Sequence, residues 1–469
     1  MEINNTLSEG HILDLDIEKL AFGGLGIAHF NNIVIFVKDG IPGQKVKVKI
    51  SKKKKNYLEA YVVEKITPSK DEQTPICTHF GMCGGCTFQN YNYSSQLIEK
   101  YNQVEELFNK MLKTSFPKIN AIIGCQNEFN YRNKMEFSYS PNRWILDKNN
   151  LMKNLEPAFG LHVKKRFDKI VDISDCYIQG KKSNDIFKFI KKYILENQIK
   201  PFNMKTKTGY LKNIIIREGQ ITNQILINFI TTNDDIRILS KLTQLLVKKF
   251  GELKGIINTI IEPHSGSSIS DKEIILYGQD YIEEKIGKYI YKISSSSFFQ
   301  TNSKQSKILY DQILKLSELE GDEIVYDLYC GAGSISIYLS EHAKYIYGIE
   351  IVMSAVMDAI ENSKKNDVKN VDFFHGNLID FFKNNQEIQL MESPDVVIVD
   401  PPRAGIHKNT LNDIMKLKAK KIIYISCNPS TQIRDISILT DAGYTIKEIQ
   451  PIDMFPHTPH IENIVSLVA

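Results

Sequence analysis

Cys427 and Asp400 are residues whose type and position could support catalysis. Cys427 follows the apolar segment KIIYIS, and Asp400 follows the preceding apolar segment, VVIV. If both segments are strands of an open α/β sheet, their carboxyl ends share the edge where ligands bind. A thiolate at that edge is a strong nucleophile that could add to C6 of a uracil ring and so activate C5 for alkylation. The alternative interpretation of Cys427 is a buried structural thiol.

Alkylation at C5 also requires a base that removes the C5 proton, so that the cysteine can be released. The segment DMFPHTPHIEN near the C-terminus offers three candidates, Glu462, His457 and His460, just before a predicted final strand. Both histidines could instead be ordinary loop residues. The residue types alone leave the choice among the three open.

A glycine-rich turn between a predicted strand and a predicted helix indicates a nucleoside cofactor. In VYDLYCGAGSISIYLS, Gly331 and Gly333 would let backbone N–H groups approach a ligand closely. Glu350 ends the next predicted strand, where a carboxylate can bind ribose hydroxyls. The turn lacks a phosphate-binding lysine, which favours S-adenosylmethionine over a nucleotide.

Asp400, with Pro401 and Pro402, resembles the element with which other methyltransferases hold an exocyclic amine. This motif alone therefore does not identify the base that is methylated.

Three of the seven cysteines are closely spaced in C-x5-C-GG-C, namely Cys77, Cys83 and Cys86. Such spacing in a reducing compartment is typical of metal ligands. Cys176 is the best candidate for a fourth ligand, because Cys125 has no distinguishing context. Four thiolates suit either zinc or a [4Fe-4S] cluster, and a purely structural role is the default.

The 469 residues are too many for one ordinary domain. Residues 1–68 read as short strands punctuated by glycine, which predicts a small OB-like β-barrel. In KVKVKI, alternation places the valines and the isoleucine inside and the lysines outside. We expect Lys45, Lys47 and Lys52 to contribute to a basic face that binds RNA phosphates, although a solvated face explains the charge equally well.

Residues 69–293 are predicted to form a central α+β domain that contains the cysteines, with a helix at 93–112 that could pack on the last domain. Residues 294–469 alternate between seven strands and intervening helices, which predicts a doubly wound α/β sheet. The N-terminus has no signal-peptide pattern, and no apolar run is long enough to span a bilayer. We therefore expect a cytoplasmic protein, acting as a monomer.

The motifs together resemble a known family. The barrel, CTHFGMCGGCTFQN, YRNK, SSSSFFQTN, DLYCGAGS, DPPRAG, SCNP and PHTPHIEN are similar to those of bacterial 23S rRNA uracil-C5 methyltransferases, over nearly the whole chain. The resemblance implies a TRAM barrel, a central domain with an iron-sulfur cluster and a Rossmann-like methyltransferase domain. It also implies ribosomal RNA of the large subunit as substrate, with the target base flipped out of its stack.

The resemblance also implies roles for individual residues. Cys427 would be the nucleophile and Glu462 the general base, with Cys77, Cys83, Cys86 and Cys176 as [4Fe-4S] ligands. The residues expected to approach S-adenosylmethionine or the uracil are Gln300, Tyr329, Gly331, Gly333, Ser334, Glu350, Asn377 and Asp400. Arg132 and Lys134 would contact RNA. Ser334 departs from the asparagine often found at its position.

Other functions remain possible from the sequence. A radical methylthiotransferase would require a C-x3-C-x2-C core, which is absent. An amino-methyltransferase would use Asp400 and leave Cys427 idle, and a non-catalytic RNA-binding protein would not bind S-adenosylmethionine. The same uracil chemistry on tRNA is a further alternative.

Overall fold

The computed structural model describes residues 7–144, 156–164, 166–262, 272–295, 297–384, 388 and 391–469. Residues 1–6, which belong to the N-terminal segment that showed no signal-peptide pattern, lie outside the described residues. The strands of the first sheet are β1 (Ile12–Asp16), β2 (Lys19–Leu20), β3 (Gly26–Phe30), β4 (Ile33–Lys38), β5 (Lys45–Lys53) and β6 (Tyr57–Thr67). Their order is β1-β5-β6-β4-β3-β2, and β1 also contacts β3, so the sheet curls around its own core. Val46, Val48 and Ile50 lie in that core, as alternation predicted.

The second sheet lies in the middle of the chain and is mixed. Its strands are β7 (Lys134–Ser140), β8 (Ala158–Val163), β9 (Arg166–Asp172), β10 (Leu211–Glu218), β11 (Ile225–Thr231), β12 (Leu253–Ile260) and β13 (Lys272–Gly278). The order is β13-β12-β11-β10-β7-β8-β9, and only the β11–β12 pair is parallel among the described strand pairs. Helices α2 (Lys181–Glu196) and α3 (Arg237–Lys249) pack on it, with the rings of Phe137 and Phe187 stacked 3.9 Å apart.

The third sheet forms the C-terminal part. Its strands are β16 (Ile324–Leu328), β17 (Tyr345–Glu350), β18 (Val371–His375), β19 (Val396–Val399), β20 (Lys421–Ser426), β21 (Thr445–Ile452) and β22 (Glu462–Val468). Their order is β18-β17-β16-β19-β20-β22-β21, so successive parallel strands lie on opposite sides of β16 and the switch point falls between β16 and β19. Strand β22 is antiparallel to both of its neighbours, β20 and the edge strand β21. All seven predicted strands are present, and the doubly wound fold is confirmed.

Six helices accompany this sheet within the described residues. They are α4 (Ser303–Ser317), α5 (Ser334–Leu339), α6 (Met353–Lys365), α7 (Phe381–Asn384), α8 (Lys408–Leu417) and α9 (Pro429–Asp441). A hairpin of β14 (Tyr281–Ile286) and β15 (Tyr289–Ser294) contacts α4, α5 and α6. It therefore packs with the C-terminal sheet, although nearly all of it lies within residues 69–293, the range predicted for the central domain.

Helix α1 (Tyr93–Met111) connects the cysteine-rich loop to the C-terminal sheet. Its N-cap is Asn92, whose side chain accepts a hydrogen bond from the backbone N–H of Ser95 at 2.8 Å. Val104 and Phe108 are buried in the core of the C-terminal sheet, and α1 packs on α9. The helix thus fixes the cysteine-rich loop relative to that sheet.

Candidate active site

The glycine turn after β16 has the shape of a ligand cradle. Gly331 and Gly333 have φ angles of 55° and 74°, in the left-handed region that favours glycine. A Cβ atom on Gly333 would lie 2.6 Å from the ring of Phe373, whereas one on Gly331 would meet open space. The N–H of Gly331 donates to Glu350 Oε2 at 3.1 Å, so the acid at the end of β17 is held against the turn. The turn and the acid therefore form one site.

Ser334 begins helix α5 and binds two tyrosines. Its hydroxyl lies 2.8 Å from the hydroxyl of Tyr310 on α4, and its carbonyl accepts a hydrogen bond from Tyr291 on β15. The side chain that was expected to approach the cofactor is thus engaged with Tyr310. These contacts attach the glycine turn to α4 and to the hairpin.

The remaining predicted cofactor residues surround the same sheet edge. Tyr329 follows β16 with a φ of 68° and packs against the core. Asn377 follows β18, is exposed, and accepts a hydrogen bond from the N–H of Ile379 at 3.1 Å. Gln300 precedes α4, and its carbonyl accepts a hydrogen bond from the side chain of Asn133 at 3.0 Å. The latter contact connects the site to the central sheet.

Cys427, Glu462 and Asp400 lie at one edge of the sheet, at the ends of three neighbouring strands. Ser426 at the end of β20 pairs with Asn463 on antiparallel β22, so the next position in this register places Cys427 beside Glu462. Asp400 follows β19, which is parallel to β20 on its other side. Burial, followed by the nearby Glu462 and Asp400, raises the pKa of Cys427 to about 11, and the charge of Arg403 opposes this shift. The three groups thus interact electrostatically.

The two acids are held in an environment that disfavours charge. Burial, followed by the neighbouring Asp400, raises the pKa of Glu462 well above its usual range. Burial, followed by Asp327 on β16, raises the pKa of Asp400 to about 7. An acid with a raised pKa is suited to accept or donate a proton near neutral pH.

Arg403 was part of the quoted DPPRAG motif but received no role in the sequence analysis. It is exposed, and within the described part of the chain its side chain makes no hydrogen bond or ion pair. Its charge is the one that lowers the pKa of Cys427. Its position three residues after Asp400 was the signal that could have identified it.

Phe298 is a second residue that sequence reasoning missed. Its side chain is 71% exposed, although the residues around it are firmly held. Ser294 and Ser297 donate to Asp358 on α6, and the buried guanidinium of Arg217 donates to the carbonyls of Ser295 and Ser297. Phe298 therefore exposes an aromatic ring two residues before Gln300, directly after a hydrogen-bonded serine.

The alternative base His457 has a structural position. It is fully buried with a φ of 63°, its ring stacks on Phe129 at 4.4 Å, and burial lowers its pKa to about 4. Its carbonyl accepts hydrogen bonds from the backbone N–H groups of Thr87 and Phe88, next to the cysteines. His460 lies on the surface of the same loop. His457 therefore joins the cysteine-rich loop to the segment that precedes Glu462.

The four cysteines predicted as metal ligands line one cavity, together with His79 and Gln89. Burial raises the pKa of Cys83 to about 11 and the pKa values of Cys86 and Cys176 to about 12. Among the described residues, however, no group of three or more His, Cys, Asp or Glu side chains is arranged to hold a metal ion. The two other non-catalytic thiols, Cys125 and Cys330, lie elsewhere.

The predicted RNA-binding residues occupy two regions. Arg132 Nε donates to the carbonyl of Lys134 at 3.0 Å, and burial lowers the pKa of Lys134 to about 8. On β5 of the barrel, Lys47 forms an ion pair with Glu64 at 2.9 Å, while Lys45 and Lys52 are exposed.

In the described residues, no helix combines the length and apolar character that a membrane span requires.

The sheet order, the glycine turn and the acid at the end of β17 are those of a nucleoside-cofactor site in a doubly wound fold. The sequence matches the tRNA (Uracil-5-)-methyltransferase family over residues 266–469 and the TRAM domain over residues 7–63. It is 36% identical to an uncharacterized RNA methyltransferase of Clostridium acetobutylicum, with 96% of each chain covered. It is also 36% identical to one of Bacteroides thetaiotaomicron, over 96% of this chain and 99% of the relative.

A similar solved structure is the crystal structure of Pyrococcus abyssi tRNA (uracil-54, C5)-methyltransferase in complex with S-adenosyl-L-homocysteine. The TM-score is 0.75 at 28% identity, over 97% of this chain and 100% of that chain. The chain therefore belongs to the RNA uracil-5-methyltransferase family and carries an N-terminal TRAM domain. It is an S-adenosylmethionine-dependent RNA uracil-5-methyltransferase.

Proposed function

We propose that this enzyme methylates C5 of a specific uridine in 23S ribosomal RNA through a covalent bond between Cys427 Sγ and C6 of the uracil. The observation that carries the proposal is the placement of Cys427 beside Glu462 and near Asp400 on adjacent strands. A structural thiol would not require two buried acids and a free arginine beside it.

The cofactor is assigned to the cradle formed by the glycine turn and Glu350. Gly331, Gly333 and Ser334 would surround its methionyl part, and Glu350 would accept from its ribose hydroxyls. Tyr329, Asn377 and Asp400 would complete the cofactor pocket, with Gln300 facing the uracil. The absence of a side chain at Gly333 supports this assignment, because a Cβ atom there would collide with Phe373 and Ala359 and shift the turn. Bound S-adenosylmethionine supplies an electrophilic methyl group at its sulfonium.

The reaction proceeds by addition and elimination. The Cys427 thiolate would form a bond to C6, and the electron pair of the C5=C6 bond would move into an enolate. C5 of this enolate would take the methyl group from the sulfonium, whose S–CH3 bond would break and leave S-adenosylhomocysteine. Glu462 as carboxylate then removes the C5 proton, the C5=C6 bond re-forms and the C6–S bond breaks. Arg403 stabilises the thiolate both before addition and after release.

We further propose that Cys77, Cys83, Cys86 and Cys176 hold a [4Fe-4S] cluster. Their thiols line one cavity, and the iron ions of a cluster would stabilise them there as thiolates. His79 also lines this cavity, and its Nε2 is engaged with Ser174. The cluster would supply a structural crosslink between the cysteine-rich loop and the central sheet.

The cluster is tested by iron and sulfide analysis of protein purified without oxygen. About four of each per chain are expected, and Cys176→Ser should lose them, whereas the matched variant Cys125→Ser should retain them. Stoichiometric zinc in place of iron would contradict this part of the proposal.

RNA contacts are assigned to Arg132, Lys134 and the barrel residues Lys45, Lys47 and Lys52, which would bind phosphates. Phe298, exposed beside Gln300, is placed to stack on the flipped uracil. The arrangement requires a base that has left its stack, because Cys427 is only partly exposed.

Transfer RNA is the second candidate substrate. The observation in its favour is the similarity over nearly the whole chain to the Pyrococcus abyssi enzyme, which acts on tRNA uracil-54. Mapping of 5-methyluridine in both RNAs, in cells with and without the gene, separates the two. Loss from 23S rRNA alone supports the proposal, loss from tRNA alone supports the alternative, and no loss in either contradicts both.

A further inference from the structure

The outer face of the N-terminal barrel carries aromatic side chains on two adjacent strands. On β4, Ile35 and Val37 are buried, so Phe36 and Lys38 point outward. On β6, burial of Leu58 and Ala60 places the two tyrosines that flank them on the same outer face. These tyrosines are Tyr57 and Tyr61. Neither strand was noted for its aromatic residues in the sequence analysis.

Strand register aligns these residues into a row across four strands. Tyr61 pairs with Lys38 on one side and with Lys49 on the other, and Lys49 pairs with Ile12. Tyr61 is 41% exposed and Ile12 is 56% exposed. An aromatic ring is therefore flanked by two lysines, each one strand away, which is about 4.8 Å in the hydrogen-bonding direction.

The rings of Phe36 and Tyr57 lie next to this row. Their centroids are 5.2 Å apart at an angle of 88°, an edge-to-face pair on the barrel surface. Three acids lie near these residues in the described barrel: Glu59 is opposite Lys52, while Asp14 and Glu64 are the neighbours of Lys47 on the adjacent strands. The face thus combines a supported aromatic patch with an excess of positive charge.

Several of the lysines are available for a ligand. In the described part of the chain, Lys49 and Lys52 make no ion pair or side-chain hydrogen bond, whereas Lys47 is paired with Glu64. Lys38 makes only a 3.7 Å contact with Asp39. The lysines beside Tyr61 are therefore freer than the central lysine of the predicted basic strand.

We propose that this aromatic face binds a single-stranded segment of the substrate RNA, with a base stacked on Tyr61 and phosphates bound by Lys38 and Lys49. Aromatic rings interleaved with lysines select unpaired bases, since the ring faces of a duplex are covered by its own stacking. The inference rests on the proposed function insofar as the RNA is the enzyme's substrate. It adds a binding site outside the methylation centre.

The position of the row also favours substrate RNA as the ligand. Val37, next to Lys38, pairs with Gly26, and a Cβ atom on nearby Gly24 would lie 3.0 Å from Pro459. Pro459 belongs to the loop that precedes Glu462. The Lys38 end of the row thus lies near this loop, on the path of an RNA strand that leaves the active site along the barrel.

The test is fluorescence anisotropy with the full-length protein and fluorescein-labelled twelve-residue oligouridylate, alone or paired with oligoadenylate. Tyr61→Ala should weaken binding of the single strand about tenfold, since stacking on an aromatic residue contributes about 1–3 kcal/mol per base. Tyr61→Phe should bind like the wild type. Tyr277→Ala, at a tyrosine of similar exposure on β13, is the matched control and should have no effect.

Equal affinity of Tyr61→Ala and the wild type would overturn the proposal, even if Lys49→Ala weakened binding, because the face would then be purely electrostatic. Tighter binding of the duplex than of the single strand would also overturn it. Methylation of cellular RNA by the wild type is measured separately. Failure of the proposed reaction is therefore distinguishable from failure of this binding site.

Discussion

The ammonium group of Lys100 lies 2.7 Å from Oδ1 of Asp453, and both side chains are almost completely buried. Tyr93, on the same helix α1, donates its hydroxyl to Asp453 Oδ2 at 2.9 Å. Gln96 accepts a hydrogen bond from the N–H of His457 at 3.0 Å. One face of α1 thus fixes the segment that connects β21 to Glu462, and we infer that it positions the proposed base.

Replacing Lys100 by Met should destabilise the protein by about 3–5 kcal/mol, because it leaves the Asp453 carboxylate buried without its cation. The double variant Lys100→Met with Asp453→Asn should recover part of that loss. The free energy of unfolding from denaturant titration measures both effects. Lys110→Met, which removes an exposed ion pair with Glu106 on the same helix, is the control and should change it by less than about 1 kcal/mol. Equal effects at Lys100 and Lys110 would contradict this account of α1.

Replacing Gly333 by Ala should abolish detectable binding of S-adenosylmethionine, because the new Cβ atom would collide with Phe373 and displace the turn. Gly331→Ala is the matched variant, with a similar φ but open space around the Cβ position. Its cost should be limited to about 1–2 kcal/mol of backbone strain. Isothermal titration calorimetry measures the affinities. Wild-type affinity in Gly333→Ala would show that the turn is not the cofactor cradle.

Alkylation of Cys427 by iodoacetamide should accelerate about tenfold per pH unit between pH 7 and 9, because its pKa of about 11 keeps most of the thiol protonated in that range. Removing the charge of Arg403 raises this pKa, so Arg403→Ala should react more slowly at every pH. Mass spectrometry of the Cys427 peptide separates it from the other thiols. Arg237→Ala, on α3, should react like the wild type. An unchanged rate in Arg403→Ala would remove Arg403 from the proposed mechanism.

The C-terminal sheet was predictable because several of its strands are apolar runs that end in, or are followed by, a polar residue, as at Glu350, Asp400 and Ser426. That pattern placed Asp400 and Cys427 at one edge, although it could not determine that antiparallel β22 brings Glu462 beside Cys427. Contacts between distant segments left no local signal. His457 was a candidate base by residue type, but its partners Gln96, Thr87 and Phe129 lie more than 300 residues earlier in the chain. The order of the central sheet was equally inaccessible, because its mixed pairing follows no repeating pattern.

The most direct test of the covalent mechanism uses the Glu462→Gln variant with substrate RNA and S-adenosylmethionine. Without the base, the reaction should stop after methyl transfer, and the RNA should remain attached to the protein on denaturing gels. Mass spectrometry after digestion should then find a methylated uridine nucleotide bound to the peptide that contains Cys427. Cys427→Ala should form no adduct and no 5-methyluridine while still binding S-adenosylmethionine. Formation of 5-methyluridine by Cys427→Ala would contradict the account.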